Sequence, residues 1–169
     1  MLFASTALVA RIERADARLM SDSATAAARR RPGTGCFATP IAGGFATFTA
    51  PGSPLNKLAG LGFAGPLEPD ELAGVERAFA ERGVPVQVEL SCLADPDVGA
   101  LLTRRGYTLE NFENVLGRRL PSDPPKAPPE GLVVSESPVT TQPGSKSQEN
   151  VQKHGFELLY TRAILVRQP

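Results

Sequence analysis

Leu8, Ile12, Ala15 and Leu19 recur at helical spacing within the first twenty residues, which predicts an amphipathic first helix buried along that stripe. Small residues and arginines interrupt the pattern over 21–35, predicting a connection. CFATPIA and FATFTA then flank Gly43-Gly44, the signature of a β-hairpin turning at that glycine pair. A third strand is expected over 56–63 (NKLAGLGF). Pro69 opens a second helix that carries Leu72, Val75 and Phe79 on one face and stops at Gly83. Val84, Val86, Val88 and Leu90 alternate with Pro85, Gln87 and Glu89, the period of a strand. Asp95-Pro96 starts a third helix with Val98, Leu101 and Leu102 inward, basic residues in its last turn and Gly106 at its end. A strand follows over 107–120.

Five prolines in the ten residues 121–130 (PSDPPKAPPE) predict a stiff, extended linker. Beyond it the pattern predicts a short strand at 132–137, a loop at 138–144, a short helix at 145–154 that opens with Ser145 and Gln148 at capping-box spacing, and a long strand or tight strand pair at 156–166. The segments on either side of the linker repeat each other. An offset of 49 places Gly106-Tyr107 on Gly155-Phe156, Leu109 on Leu158, Val115 on Ile164, Leu116 on Leu165 and Arg118 on Arg167. Each copy reads as a helix with a basic last turn, a glycine, an aromatic and a strand, which points to duplication.

Composition narrows the chemistry. The chain has 169 residues, 41% of them hydrophobic, with 18 basic residues balanced by 18 acidic ones. It can bury a core, and no net charge steers it toward nucleic acid or membrane. Locally, 1–31 holds six arginines against three acids and 68–97 eight acids against two arginines, expected for solvated helix faces. With one histidine, His154, a histidine-cluster metal site is excluded, and His154 itself suits a last helical turn. Cys36 and Cys92 are isolated and expected as small core residues, consistent with a reducing, cytoplasmic setting. The apolar run 2–10 is too short to span a bilayer and has no basic residue before it, unlike a secretory leader.

SQENVQKHGF (147–156) running into LYTR (159–162), within TTQPGSKSQENVQKHGF (140–156), resembles the last part of the GNAT (Gcn5-related N-acetyltransferase) fold. PLNK (54–57), GLGF (60–63), VQVEL (86–90) and Gly106-Tyr107 are similar to the N-terminal lobe of bacterial two-lobed GNAT proteins. The resemblance implies an α/β protein with a mixed, mostly antiparallel sheet flanked by helices. It divides the chain into an N-terminal lobe (1–120), the linker (121–130) and a remnant of a C-terminal lobe (131–169). It implies acetyl transfer from acetyl-CoA to an amine of a small molecule or peptide, with a carboxylate removing the amine proton and a tyrosine protonating the thiolate. Strands splay around the pantetheine, and backbone N–H groups at a helix start hold the pyrophosphate.

The family's Q/R-x-x-G-x-G/A loop has one literal match, RRPGTG (30–35), which leads into the hairpin and not into a helix. GFAGPLEP (62–69), where the N-terminal lobe would carry the loop, lacks the leading Gln or Arg. The central part of a second lobe is missing near 138–140, the mark of an internally deleted member.

Within this frame Glu89, near the end of its strand, is the candidate general base, or else a solvated strand carboxylate. The family's tyrosine position falls on Val151, so Tyr160 is the alternative acid, or a strand residue with its hydroxyl at the edge. Ser147 and Asn150 share a helix face that could contact the CoA arm, or are a capping or solvent-facing pair; Lys146 could touch a phosphate at the helix start. Asn56 could orient substrate or cap a turn. Two readings follow. One is an acetyl-CoA-dependent N-acetyltransferase; the other is an inactive GNAT remnant acting as a binding or structural module, with homodimerisation as one way to bury an open sheet edge.

Overall fold

The first helix, α1 (Thr6–Arg30), is longer than its hydrophobic pattern predicts. The computed structural model, which describes residues 3–119 and 139–169, carries it through the expected connection to Arg30, because Ala24, Ala26, Ala27 and Ala28 are strong helix formers. Ser5 caps it, accepting the Leu8 N–H at 3.2 Å. Its buried stripe is Val9, Glu13, Ala17, Met20 and Ala24, whereas Leu19 is 57% exposed. The predicted face is therefore turned by about one residue, and a glutamate stands in the middle of the true one.

The strands are β1 (Phe37–Ile41), β2 (Gly44–Phe48), β3 (Lys57–Ala59), β4 (Val86–Ser91), β5 (Thr108–Gly117), β6 (Val139–Thr141) and β7 (Glu157–Arg167). The remaining helices are α2 (Pro69–Ala80), α3 (Pro96–Arg104) and α4 (Lys146–Lys153). The fold is thus α/β, with four helices around a mixed seven-stranded sheet in the order β1-β2-β3-β4-β7-β5-β6. The β3–β4 pair is parallel and every other pair antiparallel. The C-terminal strand β7 lies between β4 and β5, so segments from both sides of the linker share one sheet. The linker 121–130 and the strand expected at 132–137 lie outside the described residues. Among the described residues no helix is long and apolar enough to cross a membrane.

Strand alternation divides the core between two faces. Leu58 joins Ala46, Val88, Leu72 and Phe79 of α2, and Leu102 of α3. Its neighbour Ala59 meets Ala17 and Met20 of α1 on the other side.

Three further differences from the sequence expectation have local causes. The hairpin turns at Ala42-Gly43, with φ of +46° and +80°, and not at the glycine pair. Gly44 is needed inside β2, where a Cβ would lie 2.1 Å from the Ala59 carbonyl oxygen. β3 ends early at Gly60, whose φ of +80° leaves the extended region. The expected loop at 138–144 contains β6, paired with Asn114–Leu116 of β5.

The repeat is visible in the backbone. In both copies the aromatic N–H after the glycine donates to a carbonyl five residues back, Tyr107 to Leu102 (3.1 Å) and Phe156 to Val151 (3.4 Å). Gly106 and Gly155 both adopt left-handed φ, +85° and +81°. The two following strands, β5 and β7, pair antiparallel with each other.

Candidate functional site

Two of the residues singled out for catalysis, Glu89 and Tyr160, meet beneath α1 around Arg162. Tyr160, Arg162, Glu89 and Lys57 alternate onto the sheet face that α1 covers, and α1 brings Glu13 and Asp16 down onto them. Arg162 Nε donates to Glu13 Oε1 at 2.7 Å, and its Nη1 lies 2.8 Å from Asp16 Oδ2, 3.4 Å from Glu89 Oε2 and 3.5 Å from Glu113 Oε2. Tyr160 Oη donates to Glu13 Oε1 at 2.5 Å, and Lys57 pairs with Glu89. Arg162 and Glu13 are each 1% exposed and Glu89 3%. Glu89 is therefore not the solvated carboxylate expected of a strand end, nor is the Tyr160 hydroxyl at an edge.

Four carboxylates thus face two cations in a water-poor layer. Burial pushes the Glu89 carboxyl above its ordinary range, with Lys57 offsetting only part of that effect. Burial works against charge on Arg162 as well, but Glu13 and Asp16 outweigh it and hold the guanidinium firmly protonated. The Tyr160 phenol is raised by burial and by neighbouring Glu13, so it is a donor and not a phenolate. Arg162 Nη2 is buried with no hydrogen-bond partner. This arrangement can hold protons and lock α1 to the sheet, but no opening leads a substrate to it.

The carboxyl ends of the parallel pair are the other place where a ligand is expected. Beyond Ala59 and Glu89 the two chains stay joined: the Asp95 N–H donates to the Gly62 carbonyl at 2.9 Å. A Cβ at Gly62 would come within 2.8 Å of Ala94 Cβ, and one at Gly60 within 2.9 Å of Ala17 Cβ, so strand end, turn and α1 are in close contact. α2 opens with Asp70 and Glu71 and has no side-chain cap at Glu68, an electrostatic setting that disfavours an anion. Outside this contact lies an open cavity of about 460 Å³ between the first turn of α1, which has no acidic residue, and Gly62, Phe63, Pro66 and Asp95.

The remaining candidates are dispersed. Asn56 ties the β2–β3 turn, accepting from the Thr49 N–H at 2.9 Å and donating to the Ala50 carbonyl at 2.6 Å. Ser147 and Asn150 are exposed on α4, which buries no residue. Lys146 is paired with Glu149 at 2.6 Å, and Glu149 also pairs with Lys153. Gln148, not singled out from sequence, docks that helix: its Oε1 accepts from Gly144 N–H at 2.8 Å and from Asn114 Nδ2 at 3.2 Å. RRPGTG forms the end of α1 and the turn into β1, and opens onto no helix. Cys92, expected in the core, is exposed in the turn after β4, while Cys36 is half-buried with its thiol on the Thr49 carbonyl at 2.9 Å.

Sequence reasoning missed Glu13, Asp16, Lys57, Glu113 and Arg162. A signal was present for two of them: Glu13 lies within the period set by Val9, Ala17, Met20 and Ala24, and Arg162 follows Tyr160 at strand spacing. No protein-family model, curated protein or solved structure matches this chain.

Proposed function

We propose that the chain is a non-catalytic, GNAT-type scaffold that acts as a binding or structural module. A mixed, mostly antiparallel sheet flanked by helices is compatible with the resemblance, and β3 and β4 are the strands that would splay around a pantetheine arm. The observation that carries the reading is the Asp95-to-Gly62 hydrogen bond of 2.9 Å, which holds the ends of that strand pair together. The residues present do not fit acetyl-CoA: the strand mouth is occupied, α2 begins with carboxylates, and Lys146, Ser147 and Asn150 sit on an outer helix. Glu89 and Tyr160 are engaged in holding α1 and are shielded from any acceptor.

One feature favours the enzyme reading, an N-acetyltransferase acting from acetyl-CoA on an amine of a small molecule or peptide. It is the cavity beside the acid-free first turn of α1, at the same end of the sheet. Thermal-shift and calorimetric titration with CoA and acetyl-CoA separates the two. A ligand specific for the folded chain adds about 2.7 kcal/mol at a hundredfold excess over Kd. The scaffold reading expects cooperative melting with no shift in the millimolar range; a saturable shift overturns it.

A further inference from the structure

At the opposite end of β4 from the joined strand mouth lies a cleft of about 280 Å³. Its polar side is built from Glu76 and Arg77 of α2, Arg105 just past α3 and Arg167 at the end of β7; Val84 and Val86 line its apolar side. Glu76 is 8% exposed and fully engaged. It accepts from Arg105 Nε at 3.0 Å, is also bonded by Arg105 Nη2, and lies 2.5 Å from Arg167 Nη1. Three guanidiniums against one carboxylate leave the lining net positive.

Two donors here lack an acceptor. Arg167 Nη1 touches Glu76 without completing a hydrogen bond, and the Tyr107 hydroxyl, 5% exposed beside the same groups, has no hydrogen-bond partner. Buried donors are rarely left unmatched, because desolvation without a partner is costly. Guanidinium forks match carboxylate geometry, and Val84 and Val86 match methylene groups. The size suits a molecule smaller than a cofactor. Glu76 stands among the arginines, so a monoanion is repelled less than a dianion.

We propose that this cleft binds a small organic carboxylate, its oxygens taken by Arg77, Arg167 and Tyr107 and its short apolar tail by Val84 and Val86. The site is independent of the scaffold reading and stands or falls separately. The test is titration of the full chain with acetate, butyrate and inorganic phosphate, followed by NMR chemical shifts and calorimetry. Butyrate should saturate and bind roughly tenfold or more tighter than acetate, since each buried methylene is worth about fourfold. Tyr107→Phe and Arg77→Gln should each weaken butyrate by about fivefold, the size of one hydrogen bond. Arg77 is exposed, so its variant leaves the core intact; Arg14→Gln, on the exposed side of α1, should change nothing. Three results overturn the assignment: no saturation by butyrate, phosphate binding tighter than butyrate, or Arg14→Gln weakening binding as much as Arg77→Gln.

Discussion

Glu13 and Arg162 stand 149 positions apart in the chain and meet at 2.7 Å, each 1% exposed. This contact turns α1 so that a glutamate occupies its buried stripe while Leu19 faces water. Two buried charges are costly to desolvate and repay that cost only together, so breaking the pair should hurt far more than its net worth suggests.

Glu13→Ala should therefore cost about 3–5 kcal/mol, by leaving the Arg162 guanidinium with poorer compensation. Asp16→Asn, at the more open edge of the same cluster, should cost about 1 kcal/mol. Urea unfolding of both variants measures the contrast. Equal losses would mean that Asp16, and not Glu13, carries half of the contact.

The pH dependence of stability should show two opposed carboxylates. Glu89 is raised, so the folded chain binds its proton more tightly than the unfolded chain does. Its contribution is complete below the ordinary carboxylate range and fades as pH rises through that range to the raised folded value. Burial also opposes charge on Glu76, but Arg105 and Arg167 outweigh it and hold that carboxyl low. Its contribution is present above the ordinary range and is lost as pH falls through the lowered value. Glu89→Gln should gain on the parent chain as pH rises from about 4 to about 7, in melting curves taken across that interval. A difference that stays flat with pH would show that Glu89 titrates normally.

The β1–β2 hairpin carries a correctable strain. Ala42 has φ of +46°, a region that costs a residue with a Cβ about 1–2 kcal/mol. Ala42→Asn creates the Asn-Gly pair preferred in such turns and should stabilise by about 1 kcal/mol. Gly44→Ala should destabilise by about 3 kcal/mol, because its Cβ would strike the Ala59 carbonyl. Differential scanning calorimetry distinguishes them, and a stable Gly44→Ala protein would place the turn back at the glycine pair.

Local chemistry accounts for most of the elements. Pro69 and Asp95-Pro96 mark α2 and α3, alternating valines mark β4, and Ser145 with Gln148 marks α4, because caps and periodicity act over a few residues. The 49-residue repeat is likewise local pattern, and both copies keep their glycine turn. The partnership of Glu89 and Tyr160 could not be read in this way. It depends on Glu13, Lys57 and Arg162, which come from three distant segments, and on β7 entering between β4 and β5. A glutamate in an apolar helical stripe and an arginine in a strand each look misplaced alone, since burying either charge is unfavourable until the fold supplies the other. The closed end of β3 and β4 is equally a tertiary outcome: Gly62 acquires its meaning only when the turn after β4 brings Asp95 against it.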